Sequence, residues 1–175
     1  QQVIELLHSE ENPGNGARFF VPDIHSDEVS QNEAVVITAR RLLNDKQFSI
    51  RYQPIVALSS GGTGKEYYEV ILGTSGEVPN DDIPEDFINN LFKSDIAAEV
   101  DRWVINEALV SLASKLRSNP NTQLFINISP QSFSDTEFLS WLKQALDKSG
   151  LPANALIFQF RETDANLLRD FVTRG

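Results

Sequence analysis

The chain has 175 residues, with 15 Lys and Arg against 25 Asp and Glu and a formal net charge of −10. Hydrophobic residues make up 41% and charged residues 23%, enough apolar material for the core of one domain, or of one domain plus an appendage, which excludes disorder over the whole length. There is no cysteine and only two histidines, His8 and His25, which excludes disulfides, thiolate chemistry and Cys- or His-rich metal sites, and the acidity argues against a broad duplex nucleic-acid surface.

The first segment, 1–27, is the least regular. Gln2 to Leu7 reads as a short helix, Glu11 to Gly16 as turn residues, and Ala17 to Val21 as a short strand closed by Pro22. Phe19 and Phe20 read as packing for this segment. A boundary near Asp27 separates it from residues 28–175. There Ser30 and Glu33 form a capping-box pattern ahead of a helix with Val35, Val36, Ala39, Leu42 and Leu43 on one stripe and Arg40-Arg41 on its solvated face.

Phe48 to Val56 is a strand with Pro54 near its end. The glycine-rich stretch Ser59 to Lys65 lacks the Gly-Lys-Ser/Thr and following helix of a phosphate-cradling loop, so it reads as a hairpin-type connection. Tyr67 to Leu72 is the next strand. A polar loop from Gly76 to Pro84 follows, with Asp81-Asp82 capping a short helix over Asp86 to Phe92. A long helix over Ile96 to Leu116 then aligns Val100, Trp103, Val104, Ala108, Leu112 and Leu116 on one stripe. Leu124 to Ser129 is a strand, and Ser134 to Glu137 a second capping box. The helix behind it carries Phe138, Leu142, Ala145 and Leu146 and stops at Gly150, with Pro152 beyond. Ala155 to Phe160 is a strand, and Asn166 to Val172 starts a helix. Trp103 and Trp141 share faces with apolar neighbours and read as core. No apolar run nears the roughly 20 residues of a membrane helix and no signal-peptide pattern opens the chain, so a cytoplasmic location is expected.

Alternating strands and helices predict an α/β fold with a parallel sheet. About four strand–helix units follow Asp27, whereas a closed (β/α)8 barrel has eight in typically ~250 residues. The periodicity leaves two architectures open: an open doubly wound sheet, or half of a barrel.

Polar residues interrupt the strands at matching depth. Gln53, Glu69, Asn127 and Gln159 each sit late in an otherwise apolar or aromatic strand. Alternation sets Glu69 with Tyr67 and Ile71 against Tyr68, Val70 and Leu72; it separates Asn127 from Ile126 and Ile128, and Gln159 from Phe158 and Phe160. Side chains at the carboxyl ends of parallel strands converge on ligand sites, so the four together point to a site; the alternative is four unrelated polar residues, each satisfied by neighbouring backbone or a helix cap.

Five segments carry a resemblance. Tyr52-Gln53-Pro54-Ile55-Val56, Glu69-Val70-Ile71-Leu72, Val100-Asp101-Arg102-Trp103-Val104, Phe125-Ile126-Asn127-Ile128-Ser129-Pro130 and Phe158-Gln159-Phe160-Arg161-Glu162-Thr163 stand in the order of the EAL family, bacterial domains that bind or hydrolyse cyclic di-GMP. The chain resembles that family from Phe48 to Gly175. The resemblance implies a modified (β/α)8 barrel of which this chain is the first half, about four units. Gly14 to Phe19 resembles the tail of a GGDEF domain, which implies that 1–27 ends such a domain and 28–175 begins an EAL-like one.

The departures bear on function. The family signature Glu-Ala-Leu is Glu69-Val70-Ile71 here, an arginine that usually holds a ligand phosphate is replaced by Gly73, and a metal-binding glutamate is replaced by Gln159. Glu69 and Asn127 match family metal ligands. Hydrolysis in this family uses two divalent cations, and Mg²⁺ or Mn²⁺ favours anionic oxygen, so Gln159 removes a full charge from the cluster. Glu162 alternates to the other side and is a poor substitute. The implied reading is a degenerate phosphodiesterase, no enzyme, needing no cofactor, with Glu69, Asn127 and Gln159 as vestigial metal positions. Cyclic di-GMP is the implied ligand, held by Gln53, Glu69, Ile71, Asp101 and Asn127, with Gln53 and Asp101 on guanine edges. The bland alternative has Gln53 capping a loop and Asp101 in a helix-start charge cluster with Glu99 and Arg102. Tyr68-Glu69-Val70 resembles a catalytically silent member of the family that acts in signal transduction through a PilZ-domain partner on type IV pili and twitching motility, which implies such a partner here, and a homodimer is a further expected assembly. Two other functions stay open: an active phosphodiesterase using Mg²⁺ or Mn²⁺, and a partner-binding domain with no nucleotide.

Overall fold

The structure, a computed structural model, describes residues 24–56, 64–76, 78, 83 and 86–164, and positions 166, 169 and 173. The predicted helix at Gln2 to Leu7, the strand at Ala17 to Val21 with Phe19 and Phe20, His8, the cap at Asp81-Asp82 and most of the helix over 166–172 lie outside these residues.

Helix α1 spans Ile24–Asn44 and is followed by strand β1, Phe48–Ile55, and strand β2, Glu66–Thr74. The two strands pair antiparallel, Phe48 opposite Thr74 and Ile55 opposite Tyr67. This antiparallel pair at the edge of an otherwise parallel sheet has a physical reason. Only residues 56–65 join the strands, and parallel neighbours need a crossover of about a dozen residues or more. The hairpin-type reading of Ser59 to Lys65 is the one that holds.

Longer crossovers then make the remaining pairs parallel. Helices α2 (Phe87–Leu91) and α3 (Ala97–Ser118) lead to β3, Thr122–Asn127; α4 (Pro130–Ser134) and α5 (Phe138–Ser149) lead to β4, Leu156–Gln159. The order across the four-stranded sheet is β1-β2-β3-β4. Val70, Leu72, Leu124, Ile126 and Leu156 are buried in one cluster with Val35, Ala39 and Leu42 of α1, Val100, Val104, Ala108 and Leu112 of α3, and Phe138 and Leu142 of α5. These are the stripes read from helical spacing. Trp103 and Trp141 pack against this cluster, their rings 5.6 Å from Phe48 and Phe138.

Both predicted capping boxes are corrected. Helix α1 begins at Ile24, so Ser30 lies inside it and not at its N-cap. At the second, Pro130 opens α4, its missing N–H costing nothing in a first turn, and α4 consumes Ser134, whose hydroxyl donates back to the Pro130 carbonyl at 3.2 Å. Helix α5 starts three residues later than a Ser134 cap requires, with Glu137 at its N-cap. Asp135 organises the junction instead. One of its oxygens accepts the Glu137 amide at 2.9 Å, and the other pairs with Arg102 at 2.6 Å. The C-terminus of α5 is as read, with Gly150 left-handed at φ 64. No described helix is long and apolar enough to cross a membrane.

Candidate functional site

The register converts four scattered polar residues into a row across one face of the sheet. Gln53 stands opposite Glu69, and Asn127 opposite Gln159. Glu69 is also opposite Phe125, two residues before Asn127, so Asn127 and Glu69 share a face. The row is closed by contact: the Asn127 amide donates to Glu69 Oε1 at 3.1 Å. Val70, Ile126 and Leu156 on the opposite face are buried under the helices. Gln53 is exposed and Glu69 half-buried. Glu69, Ile71, Asp101 and Asn127 line one depression of about 270 Å³.

This depression runs into two others. A groove of about 480 Å³ at the ends of β3 and β4 shares Asn127 and Phe92 with it, and one of about 580 Å³ at the end of β2 shares Leu72 and Ile88. Helix α2 walls all three through Ile88, Asn89 and Phe92.

Asp101 enters from α3 rather than from a strand and is 2% exposed. Its Oδ2 accepts three hydrogen bonds, from the Ser129 amide at 2.9 Å, the Ser129 hydroxyl at 2.6 Å and the Ser132 hydroxyl at 2.7 Å. Burial pushes its carboxyl above the ordinary range, and the three donors pull it part of the way back. Asp101 thus anchors the turn from β3 into α4, directly after Asn127. It is not in a charge cluster with Glu99 and Arg102: Glu99 is exposed, and Arg102 pairs with Asp135.

Gln159 differs from its neighbours in the row. Its Oε1 is buried and has no hydrogen-bond donor among the described residues. A glutamate in this place would set a charged oxygen where nothing but a cation offsets it, whereas a neutral amide oxygen left unpaired there costs far less. The described residues of the row supply one carboxylate, Glu69, already engaged by Asn127, and three amides, Gln53, Asn127 and Gln159. That donor set does not fit a pair of divalent cations, which draw on several anionic oxygens. Among the described residues no three His, Cys, Asp or Glu side chains gather to hold a metal.

Residues 38–173 match the EAL domain family. The chain belongs to that family. The FimX EAL domain from Pseudomonas aeruginosa bound to c-di-GMP is 30% identical, with TM-score 0.62 over 80% of this chain and 54% of that one. The Xanthomonas citri FimX EAL domain in complex with c-di-GMP is 27% identical, with TM-score 0.64 over 85% and 58%. Among curated proteins, the cyclic di-GMP phosphodiesterase PdeF of Escherichia coli K12 is 29% identical over 79% of this chain and 18% of its own length. The chain therefore spans about half of the solved EAL domains and about a fifth of the curated relative. Its four-stranded sheet is the first half of an EAL-type barrel, which decides between the two architectures the periodicity left open.

Sequence reasoning brought Gln53, Glu69, Ile71, Asn127 and Gln159 to this face. It missed Ser129 and Ser132 as partners of Asp101, and it missed Arg51, which alternation with Gln53 places on the same face.

Proposed function

We propose that this EAL domain is a cyclic di-GMP receptor that has lost phosphodiesterase activity and works as a signalling scaffold. The observation that carries the reading is the polar row with Glu69 as its one carboxylate and a neutral Gln159 in line with Asn127. Base recognition requires hydrogen bonds and apolar contact but no metal; Gln53, Ile71 and Asn127 border the open face on which a dinucleotide would lie, and Asp101 lines the depression beside Ile71 and Asn127 from the α3 side. Two relatives of similar identity are structures with c-di-GMP bound, which supports the ligand class. On this reading no cofactor is required, the protein is cytoplasmic, and residues 1–27 end a GGDEF-like domain joined through α1. A PilZ-domain partner reads the ligand state, with type IV pili and twitching motility as the output.

Calorimetric titration of the intact protein with cyclic di-GMP in EDTA tests the receptor; micromolar binding abolished by Gln53→Ala is the expected result. No heat from a folded sample rejects it in favour of a domain that works through partners alone. A second reading, hydrolysis, is favoured by the likeness to PdeF. Chromatography after incubation with Mg²⁺ or Mn²⁺ separates the two: turnover that disappears in Glu69→Ala establishes the enzyme. Binding of a PilZ-domain protein from the same organism, measured with and without cyclic di-GMP, tests the partner.

A further inference from the structure

Arg51 is the guanidinium on the polar face of β1. It stands opposite Ile71, in line with Gln53, and Ser49 opposite Gly73 completes the run. The side chain is exposed and pairs with no carboxylate among the described residues, although the chain carries 25 acidic residues. Its guanidinium borders a groove, where it can meet an anion that enters.

Its position is specific. A Cβ built on Gly73 would lie 3.4 Å from Arg51 Nη2 and 3.9 Å from Cζ, so the guanidinium rests over the bare backbone of β2. Gly73 itself is buried beneath it. An alanine methyl would just touch; any longer side chain at 73 would take the space the guanidinium occupies. Arg51 and Gly73 line the groove of about 580 Å³ that continues into the depression holding Glu69 and Asn127. The groove's described carboxylate, Asp86, stands on the α2 side and forms no ion pair with Arg51.

We propose that Arg51, reaching across from β1 into the space that Gly73 leaves open, holds one phosphate of the bound cyclic dinucleotide. The assignment rests on the receptor reading above. A guanidinium presents a planar fork of donors that matches two phosphate oxygens at once, and it needs little reordering when its stem is already laid along the sheet. Gln53, one alternation further along β1, then faces the part of the ligand beyond the phosphate.

The intact protein and three variants, titrated with cyclic di-GMP in EDTA at several salt concentrations, test this. Arg51→Ala weakens binding by roughly ten- to a hundredfold, the range for a lost charge-assisted contact, and flattens the salt dependence, with the melting temperature unchanged. Arg51→Lys keeps the salt dependence and loses part of the affinity, because a point charge replaces a fork. The double variant Arg51→Ala/Gly73→Arg, which carries the guanidinium across to β2, recovers affinity. Equal affinity in Arg51→Ala and the parent overturns the assignment while leaving the receptor standing. A double variant that melts normally yet recovers nothing overturns the shared phosphate position. No binding by the folded parent overturns receptor and assignment together.

Discussion

At the residue scale, two buried polar atoms set opposite demands. Asp101 Oδ2 satisfies three donors of the β3–α4 turn, so Asp101→Ala strands two hydroxyls and an amide. A loss of about 3 kcal/mol is expected in urea unfolding, with a much smaller loss for Asp101→Asn, which keeps an acceptor. The pH dependence has a definite sign. Burial raises the folded carboxyl pKa, so the folded state holds the proton more tightly than the unfolded chain. The stability Asp101 contributes is fullest below the unfolded value of about 3.9 and declines as pH rises toward the raised folded value. The parent should therefore lose stability relative to Asp101→Asn across that window, as thermal melts at successive pH values will read. Gln159 poses the reverse case, an acceptor with no donor. Gln159→Glu is expected to lower the melting temperature by several degrees in EDTA, for a cost of about 1–3 kcal/mol, and to recover it in Mn²⁺. A variant that melts like the parent in both buffers would mean that Gln159 lies in a wetter place than its burial indicates.

At the element scale, the order of events along the chain is enforced at junctions rather than by caps written in the sequence. Arg102 on α3 ties Asp135 at the start of α5 and lies over two of that helix's rings, 5.7 Å from the centre of Phe138 and 5.5 Å from that of Trp141. Both charged side chains keep 27% of their exposure, so solvent screens the pair and the ring contacts carry a comparable share. Arg102→Ala is expected to cost about 1–2 kcal/mol, read as a shift in the urea midpoint at constant slope. Partial burial pushes the Asp135 carboxyl up, but the Glu137 amide and Arg102 outweigh it and hold it below the ordinary range. Its contribution is therefore present above the unfolded pKa and is lost as pH falls through the folded one. The gap between parent and Arg102→Ala should narrow only in acid, below pH of about 4.

At the scale of the whole molecule, half a barrel leaves edges. Among the described residues β1 and β4 each have one unpaired side, and apolar groups crowd them: Ile55 is 43% exposed, Val56 75% and Phe160 39%. Such edges invite pairing with another chain. The 175-residue chain in isolation is expected to self-associate in sedimentation velocity, and Val56→Lys to reduce that association; a monomer at all concentrations would count against open edges.

Much of this was legible in the residues alone, because its causes are local. Helical stripes such as Val100, Val104, Ala108 and Leu112 follow from 3.6 residues per turn, and the common face of Glu69 and Ile71 follows from strand alternation; neither needs a partner to be known. The left-handed end at Gly150 is likewise a property of one residue without a Cβ. Tertiary structure decided what depends on register. The Asn127–Glu69 contact joins residues 58 apart, and the Asp101 contacts join residues 28 and 31 apart, distances over which side-chain types carry no phase. The reversal of β1, the failed cap at Ser134 and the guanidinium of Arg51 over Gly73 belong to the same class. Each is settled by which backbone lies alongside, and that is fixed only when crossover length, sheet pairing and core packing are satisfied together.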